Sequence, residues 1–146
     1  METEKTSIPS NEERLISLLS HLSIFFGGMI VPIVLWAIYK EKSRYVRFQS
    51  LQTIFFHLSY TAFIIIIIIF AVAIGIIAGV ITQDNMAKNE PPYLFIIPMF
   101  LLYGVIILSA IAVMAYSTYM AVKAYQGEIK KYLIVGNIIY NKVYKN

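Results

Sequence analysis

The chain contains no cysteine and little charge. Its 146 residues carry 14% Asp, Glu, Lys and Arg against 59% hydrophobic residues, where a soluble domain averages about 25% charged and about 45–50% apolar. The missing thiols exclude disulfides, thiolate metal sites and cysteine nucleophiles. The spans expected below contain no Asp, Glu, Lys or Arg in their cores, so an ionisable relay of the kind used by proton-coupled transporters is absent. Only two histidines occur, His21 and His57, and no HExxH-type metal motif or Gly-rich phosphate loop is present. Ser109 and Ser117 have no neighbouring base to activate them. The expectation is therefore a non-enzyme with no catalytic residues, no metal and no cofactor.

What is present is apolar sequence in long runs. A chain this short cannot bury so much apolar surface in its own interior, so the bilayer is the expected solvent. The runs cover residues 15–39, 48–81 and 93–122, and about 20 apolar residues suffice for one helical crossing. The second run is too long for one simple crossing. Residues 60–81 form its uninterrupted part, with six consecutive isoleucines at 64–69. Residues 45–59 mix Gln49, Gln52, Thr53 and His57 with aromatic and aliphatic side chains, as an interfacial amphipathic helix would. Helix is expected over strand, because an isolated strand in lipid leaves its backbone unsatisfied.

The expected fold is all-α: three transmembrane helices, an amphipathic segment leading into the second, and an amphipathic basic C-terminal tail. The chain divides into a polar N-terminal tail (1–11), a three-helix membrane domain (12–136) and a basic tail (137–146). The charged segment 40–47 and the turn-forming segment 82–92 separate the spans. With three crossings, nine of the twelve lysines and arginines fall on the side of the first connection and the C-terminus. Basic residues collect on the side that is not translocated. This predicts a multi-pass plasma-membrane protein with its N-terminus outside and its C-terminus cytoplasmic. The net charge of +4 then reflects topology and anionic headgroups rather than nucleic-acid binding.

Three sets of residues are candidates for function. His21, Gln49, Gln52, Thr53 and His57 form a polar face. On the first helix Ser17, Ser20 and Gly28 share the side of His21. Ala71, Gly75 and Gly79, spaced four apart, suit close helix packing, between copies or within the chain. Lys40, Lys42, Arg44, Arg47, Lys130 and Lys131 are candidate lipid-headgroup contacts. Pro32 and Pro98 are expected to kink their helices. The expected partners are the lipid bilayer and either a second copy or another membrane protein, with no nucleic acid.

Three stretches carry a family resemblance: LISLLSHLSIFFGGMIVPIVLWAIYK (15–40), YVRFQSLQTIFF (45–56) and AYQGEIKKYLIVG (124–136). Together they resemble small bacterial membrane proteins related to the Tic-twenty component of the chloroplast inner-envelope import machinery. Gln49 stands where that family often has histidine, and Leu133 where proline is common. The resemblance implies a non-enzymatic protein acting by association with itself or a membrane partner. The alternatives are a component of an oligomeric channel or transporter, and a sensor of anionic lipid.

Overall fold

The computed structural model describes residues 8–81 and 93–145. The turn expected at 82–92, with Lys88, and most of the polar N-terminal tail lie outside them. The described residues form α1 (Asn11–Leu22), a 3-10 turn (Ser23–Phe25), α2 (Ile30–Tyr39), α3 (Arg44–Ile81), α4 (Tyr93–Tyr125), α5 (Gly136–Tyr140) and a single wide π turn (Asn141–Lys145). They contain no strand.

The first apolar run is not one helix. Ser10 opens α1 with a capping box: its hydroxyl accepts from the Glu13 N–H at 3.2 Å, and the Glu13 carboxylate accepts from the Ser10 N–H at 2.7 Å. Twelve residues later the helix collapses on Ser23, whose carbonyl accepts from the N–H groups of Phe26, Gly27 and Gly28 at 3.1, 2.8 and 2.7 Å. Gly28 then takes φ +49°, which other residues rarely adopt. The chain returns as α2, and the Tyr39 hydroxyl donates to the Glu12 carboxylate at 3.1 Å, joining the end of α2 to the start of α1. The run is an antiparallel hairpin. Its arms of 12 and 10 residues are about 18 and 15 Å long, short of the roughly 30 Å hydrocarbon core. The continuous crossing expected over 15–39 is therefore corrected. So is the kink at Pro32: it lies in the first turn of α2, where its missing N–H has no intrahelical partner to lose. Pro98 does lie inside α4.

The segment 45–59 is also corrected. It is not a separate interfacial helix but the opening of α3, one helix of 38 residues. Two helices, α3 and α4, are long and apolar enough to cross a membrane. In their most apolar stretches only 11% and 0% of residues are buried, which distinguishes them from core helices of a soluble protein.

The chain forms two compact units, Met1–Ser59 with Met114–Asn146, and Tyr60–Val113. The second unit is apolar. Its share of α3, Tyr60–Ile81, is about 33 Å long, and its share of α4, 93–113, about 32 Å; both match one hydrocarbon crossing. Ile69, Phe70, Ile76, Val80, Phe100, Leu101 and Leu108 are all at least 62% exposed. That is far more apolar surface than a water-soluble monomer leaves open. Tyr60 and Ser109 hydroxyls meet at 3.4 Å within this unit.

The first unit contains the hairpin, the beginning of α3, the end of α4 and the tail. Gly127, at φ +82°, ends α4 in a Schellman arrangement: Glu128 N–H donates to the Lys123 carbonyl (3.1 Å) and Gly127 N–H to the Ala124 carbonyl (3.0 Å). The tail is not one amphipathic helix, contrary to expectation. It runs through turns to the five-residue α5 and folds back on the unit. There Phe48 packs with Ile139 and Val143, and Met120 packs with Tyr132 and Val135.

Candidate functional site

Buried polarity is concentrated in the first unit. Ser17, Ser20 and His21 of α1, Gln49, Ser50, Gln52 and Thr53 of α3, and Ser117 of α4 are at most 1% exposed. Among the described residues, the hydroxyls of Ser17, Ser20 and Ser50 have no hydrogen-bond partner; the other five residues pair in one connected network, as groups withdrawn from solvent this completely require. His21 Nε2 lies 3.0 Å from Gln49 Oε1, which accepts, so the ring carries its proton on Nε2. Nδ1 is then the acceptor and takes the Tyr132 hydroxyl at 3.1 Å, with the Thr53 oxygen 2.9 Å away. The Thr53 hydroxyl donates its one proton to the Gln49 carbonyl at 2.9 Å, and Ser117 backs Tyr132 at 3.4 Å.

The glutamines carry the network into the tail. Gln49 Nε2 donates to the Glu128 carbonyl at 3.2 Å. Gln52 Nε2 donates to Gln49 Oε1 (2.6 Å) and to the Lys130 carbonyl (3.1 Å), while its oxygen accepts from the Tyr132 N–H at 3.3 Å. A side-chain amide thus pairs with tail backbone as a neighbouring strand would, satisfying groups that no helix or sheet supplies with partners. The Tyr45 hydroxyl donates to the Ala124 carbonyl at 2.6 Å, a second bond to the acceptor that the Gly127 N–H also uses. Phe56 stacks on the Tyr132 ring, 4.2 Å between centroids and 15° from parallel.

Of the sequence-derived polar face, His21, Gln49, Gln52 and Thr53 meet in this network. His57 stands apart, and its Nε2 is buried without a hydrogen-bond partner among the described residues. Tyr132 and Ser117 were not identified from sequence. Tyr132 lies in a segment without periodicity, and its only signal is its place five residues after the helix-ending Gly127.

The small-residue set behaves differently. A Cβ on Gly79 would meet no atom within 4 Å, so nothing described in this chain packs closely there. The neighbouring Ala78 is the buried residue. Among the basic candidates, Lys40, Lys42 and Lys131 lie over the rings of Trp36, Tyr39 and Tyr140 at 5.6, 5.8 and 3.8 Å. Lys130 enters the network through its backbone alone, and Arg47 Nε is buried without a hydrogen-bond partner.

Burial pushes His21 down to about 4; the Gln49 bond opposes this and His57 adds to it. The ring is therefore neutral at pH 7, as the network requires. The unfolded chain, with histidine near 6.5, binds the proton more readily than the folded one. Stability is thus fully present above pH 6.5 and lost as pH falls towards 4, by on the order of 3 kcal/mol. Denaturant titrations between pH 7 and pH 4 should show that slope, and His21→Gln should flatten it. Tyr132→Phe keeps the stack on Phe56 but removes one donor from Nδ1. It is expected to cost about 1 kcal/mol, read as a shifted unfolding midpoint; no shift would remove Tyr132 from the network.

Two bare apolar helices and a unit held by internal polar pairing define a small, all-helical membrane protein. The family's sequence profile matches residues 12–139, and the chain belongs to the magnetosome magnetite crystal formation protein family, MamF/MmsF. Comparison with curated proteins and with solved structures gives no match. The family match spans all three stretches that resembled the Tic-twenty group and overturns that assignment. The functional readings attached to it, association, channel and lipid sensor, are withdrawn with it.

Proposed function

We propose that this chain is a non-enzymatic structural component of magnetite crystal formation, seated in the membrane that encloses the crystal. The observation that carries the reading is the family match over residues 12–139. The buried network supports a structural role, because both ring nitrogens of His21 already have partners within the chain. The folded protein therefore offers no lone pair on this ring to iron, the substrate of mineral growth.

The hairpin bears on orientation. With residues 15–39 turning back, the chain crosses twice, on 60–81 and 93–113. The N-terminus, the 40–47 connection and the tail then share one side, with eleven of the twelve basic residues, and Lys88 lies on the other. The positive-inside rule makes the shared side cytoplasmic, which replaces the expectation of an external N-terminus. Reporters fused to the two ends should report the same compartment, and a protease site placed in 82–92 the opposite one. Opposite signals from the two ends would restore three crossings.

Deleting the gene from a magnetite-forming cell should change the size distribution of the crystals seen by electron microscopy. The intact chain should restore it. A distribution unaffected by deletion would remove the proposed role.

A further inference from the structure

The beginning of α1, the 40–47 connection and the tail converge on a cavity of about 820 Å³ that the buried network does not occupy. From its lining we infer that this cavity binds a phosphate group, carried on a phospholipid headgroup or free in solution. Arg14, Lys42 and Arg44 line it, with Glu13 as the acidic residue. The Glu13 carboxylate is engaged at the start of α1, accepting from the Ser10 N–H at 2.7 Å. The balance of charge in the cavity is positive, and like charges brought together favour an anion between them.

Arg14 is held ready for such a ligand. Its Nε donates to the Pro9 carbonyl at 3.0 Å. Its guanidinium lies against the backbone of Gly127, where a Cβ would stand 3.2 Å from Nε and 3.4 Å from Cζ. Glycine at 127 thus serves the turn and the close approach together. With Nε engaged, the two terminal nitrogens remain as the planar fork that matches phosphate oxygens. Because the fork is fixed beforehand, less entropy is lost on binding. Tyr140 and Tyr144 form part of the wall. Burial, the main cause, pushes the Tyr144 hydroxyl up to about 12, so it stays protonated and able to donate. The cavity volume is in the range of small-ligand sites.

The test uses the full chain in nanodiscs of phosphatidylcholine, with or without phosphatidylglycerol. Native mass spectrometry reads retained phosphatidylglycerol, and phosphorus NMR line broadening reads binding of inorganic phosphate. Lys42→Gln and Arg14→Gln should each weaken binding roughly tenfold, whereas Lys145→Gln, outside the cavity, should not. Lys42 is exposed, so its variant separates lost binding from lost folding. Retained phosphatidylglycerol without phosphate binding assigns the site to a headgroup. Phosphate binding in phosphatidylcholine discs assigns it to a soluble anion. Binding of neither probe, or binding unchanged in both variants, overturns the inference. These outcomes do not depend on any effect on crystals.

Discussion

A His21→Leu protein is expected to lose about 3 kcal/mol of stability, the order expected when buried polar groups are left without partners. Leucine fills similar space but can neither donate to Gln49 Oε1 nor accept from Tyr132. Gln49 keeps its bond from Gln52 and Thr53 keeps the Gln49 carbonyl, so the loss falls mainly on the Tyr132 hydroxyl, which has only the long Ser117 contact left. Trp36, the single tryptophan, lies on α2 and reports the hairpin by fluorescence during denaturation. A His21→Leu midpoint within error of the parent protein would show that the network contributes little. A second difference separates hydrogen bonding from packing: His21→Gln should recover part of the loss, and a packing defect would not be recovered that way.

The other large effect is expected at Gly136. It begins α5 and is buried. A Cβ there would lie 2.6 Å from the Lys131 Cβ and 2.8 Å from its Cα and carbonyl carbon. Two of these neighbours are backbone, so a rotamer change cannot relieve them. Gly136→Ala should therefore displace the turn 131–136 and cost about 3 kcal/mol, the upper part of the range for overpacking. The displacement should also loosen Phe48, whose partners Ile139 and Val143 follow directly. Proteolysis of the tail should accelerate in this variant. Adding Lys131→Gly removes the Cβ contact but not the backbone ones, so it should recover only part of the loss. Full recovery would place the whole clash on the Lys131 side chain.

The two long apolar helices were legible in sequence because length and composition alone define them; the expected runs 60–81 and 93–122 lie within α3 and α4. The membership of the buried network was half legible. His21, Gln49, Gln52 and Thr53 stand out as polar residues in apolar surroundings. Their partners on the tail are mostly backbone groups of Glu128, Lys130 and Tyr132, and backbone leaves no compositional trace. The hairpin was not legible from hydropathy, since 15–39 is predominantly apolar and carries no charged residue. Its available signals were local: Gly27–Gly28 followed by a proline in the next helix's first turn. Missing that turn merged two short helices into one expected span. The family resemblance failed for a related reason. Short apolar stretches with shared aromatic and glycine spacing are common to many helical membrane proteins, whereas the match over 12–139 uses the whole pattern.

The link between His21 and Tyr132 joins residues 111 positions apart, and it bears on how the protein is made. Contacts this distant in sequence form late, after the intervening chain has been ordered. During synthesis the hairpin and both apolar helices emerge before the group that satisfies His21. Until residues 128–132 emerge, His21 Nδ1 lacks the Tyr132 hydroxyl and the Gln49 and Gln52 amides lack the tail carbonyls. A nascent chain stalled before residue 128 would be inserted in the membrane yet unfinished, and recognisable as such to a protease.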